Sequence, residues 1–240
     1  MTPLRVGFDM DGVLADFASA YRQIETRLFG PQSQTRAGDP EDETPERSPS
    51  NNDPPAAATL DSSRAPSPHD LRRRRDLIWQ VIHSTPDFWT TLAPVDAEAV
   101  RRIRALSLRH RWDVVFITQR PATDGESVQR QTQRWLVEQG FDLPSVLVIT
   151  GSRGAAAAAL RLDYHIDDSP KNCVDVKSES PAKPILIAEP GDETTAASAK
   201  KLGIGIARTV GDCLDLLERA SVSRAQPTLL TRVARLVGLG

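Results

Sequence analysis

The stretch Asp9-Met10-Asp11-Gly12-Val13-Leu14-Ala15-Asp16, directly after the apolar positions Leu4, Val6 and Phe8, decides how the rest of the chain is read. A short strand ending in two carboxylates two residues apart, followed by glycine, can aim both at one metal-bound phosphate. One carboxylate can attack phosphorus while its neighbour handles a proton, and together they attract a divalent cation. Asp and Gly are also ordinary turn residues, so a lone Asp-x-Asp reads as a polar turn. The continuation through Gly12, Val13 and Asp16 after a buried type of strand favours the chemical reading.

The chain has 240 residues, enough for one substantial α/β domain with a small insertion. Its net charge is -2 and its pI about 6.1, which gives no basic footprint for a nucleic-acid polymer. Cys173 and Cys213 are too few for a disulfide framework and lack metal-site spacing, so they read as ordinary thiols of a reducing compartment. A strand begins almost at once, with no signal-peptide core. No apolar run approaches the ~20 residues of a membrane span. The expectation is a cytoplasmic protein with no membrane partner; its oligomeric state is open.

Residues 31–68 are dominated by Pro, Ser, Asp, Glu, Asn and Thr, with Leu60 the one large apolar residue. Such a stretch cannot bury enough apolar surface to offset ordering, so it reads as disordered. Before it, Phe17–Phe29 has a helical face of Phe17, Tyr21, Ile24 and Leu28. After it, His69–His83 repeats the pattern with Leu71, Ile78 and Ile82, and its basic run Arg72–Arg75 reads as a solvated face. From Asp96 helices and strands alternate. Helices are expected at 96–110, 125–139, 155–160, 194–202 and 213–220. Strands are expected at 114–117, 146–149, 163–166, 185–188 and 204–207. Continuously apolar strands alternating with helices mean a parallel sheet covered on both faces. Ligands then bind beyond the carboxyl ends of the strands. The residues after Asp168 are read as a loop, and Leu229–Leu236 as a short amphipathic turn or two.

Two more constellations fall at such strand ends. Thr118-Gln119-Arg120-Pro121 offers a hydroxyl and backbone N–H groups that can hold a phosphate oxygen, or else a Thr-initiated turn. Asp167-Asp168 follows Tyr164-His165-Ile166. Two adjacent acids repel unless they are solvated or share a cation. Mg2+ bound also by Asp9 and the Asp11 carbonyl removes the conflict, and oxygen ligands suit it. Trp79, Phe88 and Trp89 either stack on a base or, the favoured reading, seal a cap.

The first stretch resembles the first motif of the haloacid-dehalogenase (HAD) superfamily of phosphohydrolases. Its form DMDGVLAD is most similar to the 5'-nucleotidase branch (deoxyribonucleotidase, type C). The resemblance implies an α/β fold: a Rossmann-like core with a parallel sheet and a small helical cap inserted after the first motif. The core would comprise residues 1–16 and 90–220, the cap 17–89 including the disordered insertion, and a C-terminal tail 221–240. It implies Mg2+-dependent hydrolysis of a phosphomonoester, with Asp9 as nucleophile and Asp11 as acid and base. Thr118 and the Gln119 backbone N–H would bind phosphate. Asp9, Asp11 and Asp167 would ligate the metal, with Asp168 acting through water or as an orienting group. The substrate would be a small phosphorylated metabolite, nucleoside monophosphates among the candidates.

The chain departs from the family in one place. The family carries a Lys shortly before the acidic pair, and here that region reads Gly151-Ser152-Arg153-Gly154 and then Ala155 to Ala159. Three alternatives follow: Arg153 substitutes, Lys171 reaches in from the far side, or phosphate binds with slow turnover. The competing functional classes are a non-catalytic phosphate- or nucleotide-binding relative and a phosphotransferase with another acceptor than water.

Overall fold

The computed structural model describes residues 3–31, 67–189 and 191–225. β1 (Arg5–Asp9), β2 (Asp113–Thr118), β3 (Val146–Val148), β4 (Tyr164–Asp167), β5 (Lys183–Ile187) and β6 (Gly205–Ala207) form one six-stranded parallel sheet in the order β3-β2-β1-β4-β5-β6. The helices are α1 (Phe17–Phe29), α2 (Pro68–Ser84), α3 (Ala99–His110), α4 (Val128–Glu138), α5 (Arg153–Ala159), α6 (Pro170–Glu179), α7 (Glu193–Lys201) and α8 (Val210–Ala225). α1 and α2 both lie between β1 and β2 in the chain, followed by a 3-10 turn, Phe88–Thr90. No helix among the described residues is long and apolar enough to cross a membrane.

β1 is central because it pairs on both sides, with Phe8 opposite Phe116 of β2 and Ile166 of β4. Its neighbours alternate faces with the period of two that a strand imposes. Phe116 joins a core with Phe8, Ile103 of α3, Trp135 of α4 and Leu214 of α8. Ile117, the next residue, joins a second core with Ala157 of α5 and Val176 of α6. The sheet thus has no wet face, which is why Val114-Val115-Phe116-Ile117 is apolar throughout. Chain direction across the sheet reverses between β1 and β4, leaving a crevice at their carboxyl ends.

The helix and strand expectations agree with the structure to within a few residues, with one omission. The segment after Asp168 is α6 rather than a loop. Ser169 caps it by accepting from the Asn172 N–H (3.4 Å), and Pro170 occupies the first turn, where its missing N–H costs nothing. The segment read as disordered, 31–68, is also too long at its end. Ser67 and Asp70 form a reciprocal capping box and Pro68 opens α2. Residues 32–66 lie outside the described residues, as do 226–240 with the Leu229–Leu236 reading. α8 runs to Ala225, past the boundary expected at 220. Arg72, Arg73 and Arg75 are exposed, while Arg74 lies over the Phe29 ring at 5.2 Å. Both cysteines are buried and free, and burial pushes the Cys213 thiol up to about 12, which makes it inert.

α5 packs directly on α6 at Gly154. A Cβ there would lie 2.3 Å from the Asp175 carbonyl oxygen and 2.7 Å from Glu179 Cβ. Alanine in place of a helical glycine ordinarily favours the helix by ~1 kcal/mol. At Gly154 overpacking outweighs that gain, by a net ~1 kcal/mol, so Gly154→Ala lowers the thermal midpoint by roughly 2–4 °C. A thermal melt by circular dichroism checks the sign.

Candidate active site

β1 delivers Asp9 to the crevice, where it is buried, its backbone opposite Ile117 of β2 and one residue beyond the Phe8–Ile166 pair with β4. The chain then turns sharply. Leu14 and Ala15 N–H groups both bond the Met10 carbonyl, at 2.9 and 2.8 Å, and the Gly12 N–H bonds the Ala15 carbonyl at 2.9 Å. Gly12 has φ +82°, and a Cβ there would lie 1.8 Å from Asp168 Oδ2. Only glycine lets the first loop and the acidic pair come so close. Asp16, the last acid of the stretch, serves structure: its side chain accepts from the Ser19 N–H at 2.9 Å and caps α1.

β4 ends in Asp167, fully buried, and Asp168 follows, exposed. One oxygen each from Asp9, Asp167 and Asp168 lie within 4.8 Å of one another. That all-oxygen donor set fits a hard divalent cation. The Asp11 side chain is not part of it. Asp167 is oriented from three sides. Its Oδ1 accepts from the Ser169 N–H (2.9 Å) and Asn172 Nδ2 (3.3 Å), and its Oδ2 lies 3.0 Å from His165 Nε2. His165 is itself fully buried, so it packs behind the site and steadies Asp167.

The positions of the two candidate cations differ sharply. Arg153, in the first turn of α5, is buried and its Nη2 donates to Asp9 Oδ1 at 2.6 Å. Its Nε lies 3.7 Å from Asp167 Oδ2. Ser152 aims it by capping α5 through the Gly154 and Ala155 N–H groups and by donating to Glu179 of α6 at 2.5 Å. Lys171 is exposed in the first turn of α6 and makes no ion pair among the described residues. Of these two cations, Arg153 reaches the acidic group.

Thr118 ends β2, buried, one residue beyond the partner of Asp9, and Gln119 follows half-buried. Both follow the Asp9–Ile117 pair at the carboxyl end of β2. Arg120, to which the sequence reading attached no role, turns back to Asp11. Its Nε donates to Oδ2 at 2.8 Å and its Nη2 to Oδ1 at 2.7 Å. The only sequence signal was its place two residues after Thr118. Nothing local links it to Asp11, 109 residues away.

The aromatic residues do not line an open surface. Trp79, Phe88 and Trp89 are buried, and Phe17 of α1 sits against all three with ring centroids 5.7, 6.5 and 5.7 Å away. They seal the junction of α1 and α2 with the sheet, as favoured over stacking on a base. Asp87 pins the turn that carries Trp89. Its carboxylate accepts from the Glu126 N–H (2.8 Å) and from Arg134 (3.0 Å). The backbone N–H of Glu126, then Arg134, hold the Asp87 carboxyl below the usual carboxylate range. A group with a depressed folded-state value stabilises above its unfolded value and loses that contribution as pH falls through the folded one. Asp87→Asn is therefore less stable than wild type at pH 7, and the difference shrinks below about pH 4. Urea titrations at the two pH values check this.

No protein-family model matches the sequence, and no curated protein matches it. Solved structures do. A protein of Thermotoga maritima described as a candidate β-phosphoglucomutase superimposes with a TM-score of 0.52 at 17% identity, covering 90% of this chain and 99% of its own. A protein of Burkholderia xenovorans LB400 described as a candidate haloacid dehalogenase-like hydrolase gives a TM-score of 0.47 at 16% identity, covering 90% and 96%. The first likeness, with the sheet order above, shows an α/β Rossmann-like fold.

Proposed function

We propose that the chain is a Mg2+-dependent phosphomonoester hydrolase that works through an aspartyl phosphate on Asp9. The observation that carries this reading is the convergence at one strand-end crevice of Asp9, Asp167 and Asp168, with the Arg153 guanidinium 2.6 Å from Asp9. Carboxylates gathered with a cation at that place suit a reaction whose demand is the stabilisation of charge on phosphoryl oxygens. The substrate class is small phosphorylated metabolites, with nucleoside monophosphates favoured by the similarity of residues 9–16 to the 5'-nucleotidase branch. In this reading α1, α2 and the Phe88–Thr90 turn form a small cap that leaves the crevice open to small molecules.

In the first step an Asp9 oxygen attacks phosphorus in line. The bond to the leaving oxygen breaks with its electron pair, and Asp11 gives that oxygen a proton. In the second step Asp11, now a carboxylate, takes a proton from the water that attacks phosphorus, and the Asp9–phosphorus bond breaks. One group serves as acid and then as base. Thr118 donates its hydroxyl, and Gln119 its backbone N–H, to a phosphoryl oxygen. Asp9, Asp167 and Asp168 would hold the Mg2+, which when bound neutralises charge on the phosphate. Arg153 takes the part of the family's lysine: it orients Asp9 by holding Oδ1 and adds a positive charge beside the site. As a planar fork it does this differently from a lysine's point charge.

A second reading, phosphate or nucleotide binding without turnover, draws on the same contact. The bond from Arg153 engages the carboxylate that must attack, and so can restrain it. Hydrolysis of 4-nitrophenyl phosphate with Mg2+ separates the two. We expect turnover that Asp9→Asn abolishes while the protein still melts cooperatively. Arg153→Ala lowers kcat/KM on the order of 10²-fold or more, and Lys171→Ala far less. No turnover, together with phosphate binding seen by calorimetry, would establish the second reading instead.

A further inference from the structure

We infer that Arg120 is the positioning residue for Asp11, holding its carboxyl group in the direction from which it protonates the leaving group. The inference rests on the hydrolase reading above. Arg120 grips both Asp11 oxygens side-on, at 2.8 and 2.7 Å, with its own side chain fully buried. A two-point fork fixes both torsions of the short aspartate side chain, where a single contact would leave the carboxyl plane free to turn. Burial keeps the pair from the screening that weakens exposed ion pairs.

The arginine is in turn held from every side. Its Nη1 donates to Thr132 Oγ1 of α4 at 3.1 Å. Its guanidinium lies over the Trp89 ring, 4.8 Å from the centroid. Trp89 is locked to the same loop by its indole N–H on the Pro121 carbonyl (3.0 Å) and to α4 by its backbone N–H on Gln131 Oε1 (3.0 Å). Trp89 also touches Phe17 of α1. Nε, Nη1 and Nη2 of Arg120 each have a partner inside the protein, so its part is to act through Asp11 rather than on substrate.

The reaction step that depends on this is departure of the leaving group. The phosphorus–oxygen bond breaks with its electron pair on the leaving oxygen, the Asp11 proton moves to that oxygen, and an alcohol departs. A displacement of ~1 Å of a reacting group can cost on the order of 10²-fold in rate. The cost depends on the leaving group: an alkoxide needs the proton, while 4-nitrophenolate hardly does.

The test compares kcat/KM, which covers steps through leaving-group departure, for 4-nitrophenyl phosphate and glycerol 2-phosphate with Mg2+. Arg120→Lys keeps the charge but not the fork. We expect it to lose about 10²-fold on the alkyl ester and less than about 10-fold on the aryl ester. Thr132→Val, which keeps the ion pair and removes one anchor, should show the same skew on a smaller scale. A general structural loss would lower both substrates alike, so equal losses, or none, overturn the inference. If Arg120→Lys shows no cooperative melting transition, Thr132→Val decides by the same criterion. Wild-type protein inactive on both esters would instead overturn the hydrolase reading, and the inference with it.

Discussion

Asp9 and Asp167 stand buried beside one another at the carboxyl ends of adjacent central strands, and the rest of the structure depends on meeting their charge. Two carboxylates in a dry crevice are costly unless a cation lies among them. Arg153 supplies one inside the chain, bonded to Asp9 and close to Asp167. Breaking a buried pair by removing one partner typically costs ~3–5 kcal/mol, so this arginine is bound into the fold as well as the site. Its placement explains the close contact of α5 and α6, for Ser152, Gly154 and Glu179 together fix where α5 begins. The third acid, Asp168, remains exposed at the crevice mouth, held near the first loop by the space that Gly12 leaves.

A second charge pair organises the other side of the crevice. Asp11 is turned away from the carboxylate group and into the fork of Arg120. The chain thereby separates two acids that lie two residues apart: Asp9 faces one cation, Asp11 another. The separation suits two roles, attack and proton transfer, that require different neighbours. Through Trp89 and Phe17 the Asp11 side is continuous with α1, so the helices that follow the first loop support the acid mechanically.

Much of this was legible in the sequence because it is local or periodic. The run Val114–Ile117 has to be a strand covered on both sides, and the face of Phe17, Tyr21 and Ile24 has to be buried. The acids at 9, 11, 167 and 168 and the hydroxyl at 118 announced themselves by falling at strand ends. Other features depend on contacts between distant parts of the chain. Arg153 and Lys171 were equivalent as letters; the structure puts one in the crevice and the other on the surface. The Arg120–Asp11 pair and the role of His165 behind Asp167 carry no local signature. Asp16 belonged to the decisive stretch yet proved a helix cap, since cap and ligand use the same carboxylate. α6 was missed because Ser169-Pro170 marks both a turn and a helix start.

The central claim is that Asp9 becomes covalently phosphorylated. Quenching the protein during turnover of a phosphomonoester with Mg2+, reducing it with borohydride and mapping peptides by mass reads this directly, because an acyl phosphate is reduced to the alcohol. The account predicts conversion of residue 9 to homoserine, dependent on substrate and absent in Asp9→Asn. Reduction at another acid, or steady turnover with residue 9 unchanged, would contradict it.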